Sequence, residues 1–189
     1  MTDLPPSNRC HLTGVAVPAR GAVTAGLVCA HPSPVWLVVA EDLKTAEHLA
    51  DDVSFFLRNA SASPRHETLV FPEAMTDSRD MREAFAASSD RLTVLSRLKA
   101  RRRHEAAPDV LVVATTPAAL LQPVPALEAF ATRELALVKG QTQPFQALLQ
   151  QLQSLDYDSE AVCEAPGHYA VRGGIIDVYP VTANVPYRL

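Results

Sequence analysis

The stretch from Thr13 to Gly26 is this chain's nearest approach to a phosphate-binding loop. Such a loop needs glycines whose backbone N–H groups hold phosphates, followed by Lys-Ser or Lys-Thr for charge and magnesium. Here the only cation is Arg20, ahead of Gly21 and Ala22, and no Gly-Lys-Ser or Gly-Lys-Thr occurs. We therefore predict a packing role for these glycines, and we assign no catalytic residue and no ATP or magnesium site to these residues.

Two cysteine-histidine pairs, Cys10 with His11 and Cys29 with His31, raise the question of zinc. Neither spacing gives the CxxC or paired-histidine pattern of a structural zinc site, so we predict no metal site. The three cysteines, with Cys163 the third, are an odd number without a secretory signal. A reducing, cytoplasmic location is the expectation.

Arg101, Arg102 and Arg103 form the only basic cluster of the sequence. One interpretation of this cluster is a nucleic-acid-binding patch, which salt-dependent DNA affinity would reveal. The net charge is -4, and no aromatic residues interleave with the arginines for base stacking. We favour a solvated helix end and a protein partner over DNA.

The first part of the chain alternates strand and helix patterns, which indicates an α/β layer with a parallel sheet over residues 14–132. Residues 1–13 carry two adjacent prolines and are predicted to be a disordered lead-in. VWLVVA is typical of a strand covered on both faces. The other predicted elements are a helix at 20–30, a helix with the apolar stripe Ala46, Leu49, Ala50, Val53, Phe56 and Leu57, strands at 68–72 and 109–116, a helix at roughly 88–100 and a short helix or pair of turns after Thr116.

The second part, residues 133–189, indicates a small α+β domain. ELALVKG alternates like a strand, and Thr142 is a candidate cap for a helix. That helix has the apolar face Phe145, Leu148, Leu149, Leu152 and Leu155. Short strands follow in DSEAVCEA, HYAVRG and GIIDVYPV, separated by Pro166-Gly167 and Gly173-Gly174. Asp177 follows Ile175 and Ile176 in the way that an acidic residue ends an apolar strand in ATPases. We interpret it as an ordinary polar position within a strand.

No apolar run approaches the roughly 18 to 20 residues of a membrane span, so no membrane partner is expected. Hydrophobic residues make up 48% of the chain and charged residues 20%, an ordinary globular composition.

The most specific segment, Pro166–Pro180, resembles a segment of transcription-repair coupling factors and, more loosely, one of the excision-repair protein UvrB. Other blocks of the same family follow in the same order, so the resemblance covers nearly the whole chain from about Val35. These blocks are PVWLVVAEDLKTAEHLADDVSFFL, LVFPE, SSDRLTVLSRL, DVLVVATTPAALLQPVP, LALVKGQ and PYRL. The sequence departs from the family pattern at AMTDSRDMREAFAA, residues 74–87, which leaves local contacts there open.

The resemblance implies a degenerate, UvrB-like helicase layer without a phosphate loop at 14–132, followed by a UvrA-binding domain at 133–189 that is cut short at PYRL. It implies UvrA as the partner, and Arg172 and Arg188 as residues that contact UvrA. ATP, magnesium, DNA and RNA polymerase are expected only for motor and polymerase-binding regions that these residues do not include. The alternative is a diverged UvrB-type ATP-dependent repair enzyme, which ATP binding would distinguish.

Overall fold

The computed structural model describes residues 11–31, 33–61, 63–75, 81–102, 109–126, 134–183 and 185–189, with the backbone alone at 81–83. Most of the predicted lead-in, residues 1–10, lies outside these ranges. The described residues form two separate sheets with helices packed on each.

The first sheet has three parallel strands in the order β1-β3-β2. They are β1 (Val35–Val39), β2 (His66–Phe71) and β3 (Val110–Thr115). The central strand β3 is buried at every position, as a continuous apolar run requires when helices cover both faces of a parallel sheet. The predicted α/β class with a parallel sheet is confirmed.

Four helices surround this sheet: α1 (Arg20–Ala30), α2 (Leu43–Asn59), α3 (Met81–Arg102) and α4 (Pro117–Leu121). A short 3-10 turn at Val17–Ala19 leads into α1. Two starts are capped by side chains: Asp42 accepts a hydrogen bond from the Thr45 amide at 2.7 Å, and Thr116 accepts one from the Ala119 amide. In the described part of the chain, no helix combines the length and apolarity that crossing a membrane requires.

Two apolar clusters hold the helices to opposite faces of the sheet. The cluster on the α1 and α2 side comprises Ala25, Val28, Val53, Leu57, Val110 and Val112. The cluster on the α3 side comprises Phe71, Val94, Leu111, Val113 and Ala119. Alternate residues of β3 therefore belong to different clusters, which follows from the two-residue period of a strand.

Three predictions for the first part need correction. β1 is not covered on both faces, because Val35, Leu37 and Val39 are exposed while α3 packs over β2 and β3. Phe56 does not join the buried stripe of α2 and is 38% exposed. Helix α3 begins at Met81, seven residues before the predicted Ser88, and so includes part of the segment that departs from the family pattern.

The second sheet has four strands in the order β4-β5-β6-β7, with β4 parallel to β5 and the other pairs antiparallel. They are β4 (Asp158–Ser159), β5 (His168–Arg172), β6 (Ile175–Val178) and β7 (Tyr187–Arg188), preceded by helix α5 (Phe145–Ser154). The core between helix and sheet comprises Leu148, Leu152, Tyr169, Ile176 and Val178. The predicted apolar face of α5 is confirmed at its buried positions, Leu148 and Leu152.

Other predictions for the second part are wrong. Residues 134–140, ELALVKG, form no strand: Leu135 packs against the α5 core, whereas Leu137 and Val138 are exposed and have no strand partner. Thr142 does not cap α5, which starts after Pro144 without a side-chain cap. In DSEAVCEA only Asp158–Ser159 pairs as a strand.

Side chains of α3 link the two sheets. The Ser89 hydroxyl donates to the Val181 carbonyl, and buried Lys99 forms an ion pair with Glu134.

Candidate protein-binding surface

Strands β5 and β6 form a hairpin that Gly173 and Gly174 close. Gly173 has φ of 62°, in the left-handed region that glycine enters without a side-chain penalty. The pairing runs from Tyr169 opposite Val178 to Arg172 opposite Ile175. The hairpin predicted from the glycine pair is confirmed.

The register of the sheet places both candidate arginines on one side of it. Residues directly opposite each other in antiparallel strands project from the same face, and every second residue along a strand shares that face. Arg172 pairs with Ile175, and Asp177 pairs with Arg188. We call Arg172, Ile175, Asp177 and Arg188 the outer face.

The opposite face of the same strands is anchored. Tyr169, Ile176 and Val178 are at most 5% exposed and pack against Leu148 and Leu152 of α5. Because these inner-face residues are held by a packed core, the backbone of β5 and β6 is fixed there, whereas Val171 of β5 and Tyr187 of β7 on the same face are exposed. Strands β5 and β6 thus present a preformed surface.

Arg188 and Asp177 form a bidentate ion pair across β6 and β7. Arg188 Nε donates to Asp177 Oδ1 at 2.7 Å, and Arg188 Nη2 donates to Oδ2 at 2.9 Å. The Arg188 side chain is 68% exposed, whereas that of Asp177 is 18% exposed. The carboxylate therefore lies under the guanidinium, and a partner approaching the sheet meets the arginine first.

The charges of the outer face act on one another. Hydrogen bonds from Arg188 lower the pKa of the Asp177 carboxyl, and the positive charges of Arg188 and Arg172 lower it further. The same hydrogen bonds raise the pKa of Arg188. Two arginines and one aspartate give this face a formal charge of +1.

Arg172 is exposed on β5, and its Nη2 donates to the Ala161 carbonyl at 3.1 Å. Among the ion pairs that the structure describes, none joins Arg172 to a carboxylate within 4.0 Å. Its charge is available to a partner. The structure therefore brings Arg172 and Arg188 onto one face, on the two strands that flank β6.

The stretch Thr13–Gly26 begins before the 3-10 turn and continues through it into α1. Gly21 is buried against α2, and a Cβ there would clash with Asp52, so the packing role is confirmed at this position. It is wrong for Gly14 and Gly26, because nothing lies within 4 Å of a Cβ built at either. Arg20, the only cation of the stretch, is exposed on the first turn of α1.

The basic cluster is only partly described. Arg102 is exposed at the end of α3, and Arg101 is partly buried and donates to the Asp109 carbonyl at 3.4 Å. Arg103 lies outside the described residues, as does Cys10 of the cysteine-histidine pairs. Cys29 packs against the α1 and α2 core, and over the described ranges no three His, Cys, Asp or Glu side chains group as a metal site would.

Sequence reasoning missed the relationship between Asp177 and Arg188. It treated Asp177 as an ordinary polar strand position and did not pair it with PYRL. The available signal was charge complementarity between two short strands, which becomes specific only once their register is known.

Comparison with known proteins agrees with this geometry. Residues 135–189, which contain α5 and all of the second sheet, match the sequence profile of the family described as UvrB interaction domain. The transcription-repair-coupling factor of Bacillus subtilis is 28% identical over 94% of this chain, and that of Escherichia coli is 29% identical over 94%. That of Myxococcus xanthus is 30% identical over 99% of this chain. The chain is homologous to transcription-repair coupling factors.

The homology concerns a limited part of those relatives. The chain spans 14% of the Bacillus subtilis factor, 15% of the Myxococcus xanthus factor and 14% of the Escherichia coli factor. The UvrB interaction profile, by contrast, covers every strand of the outer face. The match to the UvrB interaction domain thus lies in the second part of the chain.

Proposed function

We propose that this chain is the adaptor part of a transcription-repair coupling factor and docks UvrA through the outer face. One observation carries the proposal: the exposed side chains of Arg172 and Arg188 lie on one face of the sheet, within the residues that match the UvrB interaction profile. The proposal includes what the family resemblance implies for the larger protein: an ATP-driven DNA translocase that displaces stalled RNA polymerase and recruits excision repair.

The chemistry of the outer face suits a protein partner with carboxylates. A guanidinium presents a planar fork of N–H groups that pairs with a carboxylate through two hydrogen bonds. Arginine is accordingly enriched at protein interfaces. Ile175, 42% exposed between the arginines, adds an apolar contact that the partner would cover.

The α/β part, residues 14–132, is in this proposal a degenerate helicase-type layer that supports the docking domain at 133–189. The parallel sheet with helices on both faces is consistent with that origin. The close contact of Gly21 with Asp52 is also consistent with it, because this part of the candidate loop is occupied by helix packing.

The test measures UvrA affinity of the 189-residue chain and its variants by biolayer interferometry, with circular dichroism on each variant. Arg172→Ala and Arg188→Ala should each weaken binding by about tenfold or more, as loss of a central interface arginine does. Neither should change the far-ultraviolet spectrum, because both side chains are exposed.

Arg102→Ala is the matched control, since it removes an exposed arginine at the end of α3 and should leave affinity nearly unchanged. If both outer-face variants bind UvrA like the parent while Arg102→Ala does not, the docking surface lies on the α/β layer. The proposal would then be wrong in its site.

A further inference from the structure

We infer that Asp177 is a positioning residue that holds Arg188 ready for UvrA, which rests on the docking function proposed above. The two side chains are direct cross-strand neighbours, and two hydrogen bonds of 2.7 and 2.9 Å join them. The pair thus fixes both the position and the plane of the guanidinium.

The unequal exposure of the pair defines the two roles. Arg188 is 68% exposed and can touch a partner, whereas Asp177 is 18% exposed beneath it. The hydrogen bonds engage Nε and one N–H of Nη2, so the remaining N–H groups of the guanidinium stay free to donate outward. Asp177 therefore acts through Arg188 and makes no contact of its own with the partner.

Preorganisation is the physical gain. A free arginine side chain samples many rotamers, and ordering it at an interface reduces the affinity. An arginine already held in one geometry has lost that freedom before the partner arrives. Asp177 also weakens the attraction between Arg188 and a carboxylate of UvrA, because it partly neutralises the guanidinium. The entropy saved by preordering Arg188 must exceed this loss, and the test separates the two effects.

Asp177 interacts with Arg172 as well as with Arg188. Its positive charge helps to keep Asp177 ionised, although the two side chains form no ion pair. Asp177 occupies the strand between them, so the carboxylate also limits repulsion between the two cations. The outer face can therefore present two arginines on the strands that flank Asp177.

The experiment is a double-mutant cycle on UvrA binding with the parent chain, Arg188→Ala, Asp177→Ala and the double variant. We expect Asp177→Ala to weaken binding by about fivefold and the double variant to bind within about twofold of Arg188→Ala alone, because contacting residues are not additive. The ¹⁵Nε resonance of Arg188 should shift in Asp177→Ala. Asp177→Glu, which keeps a carboxylate, should restore part of the affinity.

The matched control is Asp109→Ala, which breaks the exposed Arg65–Asp109 pair on the first sheet, where Arg65 Nη2 lies 3.1 Å from Asp109 Oδ1. Its UvrA affinity should equal that of the parent. Asp177→Asn, which preserves size, replaces Asp177→Ala if the latter unfolds.

The outcomes separate the two proposals. If Arg188→Ala itself binds like the parent, the proposed docking site is wrong. If Arg188→Ala weakens binding but Asp177→Ala binds as well as the parent or more tightly, Asp177 only competes for Arg188 and the positioning role is wrong. If the effects of the two single variants add fully in the double variant, Asp177 acts independently of Arg188, which also contradicts it.

Discussion

Gly21 of α1 lies directly against Asp52 of α2, with the backbone carbonyl carbon of Asp52 3.3 Å from where a Gly21 Cβ would stand. A side chain there would also clash with the Asp52 Cβ, and Gly21 is buried. We predict that Gly21→Ala destabilises the chain by about 1–3 kcal/mol, the usual cost of overpacking. Urea denaturation followed by circular dichroism measures it.

Gly26, also within α1, provides the opposite case. It is exposed, and nothing lies within 4 Å of a Cβ built there. Gly26→Ala should stabilise the chain by about 0.5–1 kcal/mol, because alanine loses less conformational freedom than glycine in a helix. Gly26→Ala thus serves as the control for Gly21→Ala. If Gly21→Ala also stabilised the chain, the close approach of α1 and α2 at Gly21 would be contradicted.

Arg91 of α3 is a buried cation, and none of the ion pairs among the described residues joins it to a carboxylate. It is 7% exposed, its Cζ lies 4.2 Å from the centre of the Phe71 ring, and its Nη1 donates to the Pro72 carbonyl at 2.8 Å. Further donations reach Gln122 Oε1 at 3.3 Å and the Pro123 carbonyl at 3.4 Å. Burial lowers the pKa of Arg91. The guanidinium thus ties the ends of β2 and α4 to α3.

We predict that Arg91→Lys destabilises the chain by about 1–3 kcal/mol. An ammonium can neither stack flat on Phe71 nor reach all three acceptors, and buried carbonyls that lose their donors are costly. Arg97→Lys is the control, because Arg97 pairs with Glu67 at the surface and should lose at most about 0.5 kcal/mol. Equal melting temperatures for the two variants would show that the Arg91 contacts contribute little.

The absence of Gly-Lys-Ser or Gly-Lys-Thr from the sequence leads to a prediction about nucleotides. The 189-residue chain should neither bind ATP measurably with magnesium nor hydrolyse it, since no residues supply the phosphate cradle and its cation. Calorimetric titration is the measurement. Micromolar binding would favour the diverged UvrB-type enzyme over the adaptor.

The sequence predicted the architecture where local pattern and burial agree. β3 is apolar from Val110 to Ala114 and is buried along its whole length, and α1 has the predicted bounds Arg20–Ala30. It failed for β1, whose similar run is exposed at Val35, Leu37 and Val39. An apolar run indicates that burial of a strand is favourable. Whether a helix buries both faces of that strand depends on where α3 crosses the sheet.

The candidate site was predictable in its residues and not in its arrangement. The resemblance to the family nominated Arg172 and Arg188, while composition and periodicity alone did not. Neither source indicated that Arg188 would be paired, because that pair depends on the register between β6 and β7. Register is a long-range property, and the two exposed residues of β7 do not specify it by their own pattern.

Titration of Asp177 tests the pair that this register creates. Hydrogen bonds from Arg188 lower its pKa, so the stabilisation from the pair is fully present above the ordinary pKa of an aspartate and is lost as the pH falls through the lowered value. In Arg188→Ala the carboxyl pKa should rise, because the largest cause of the shift is removed. Carbon-13 NMR of the side-chain carboxyl measures both values.

Asp109 is the internal control, because Arg65 lowers the pKa of its carboxyl. The pKa of Asp109 should be unchanged in Arg188→Ala and should rise in Arg65→Ala. An Asp177 pKa that does not change on removal of Arg188 would mean that the two side chains are not paired in solution.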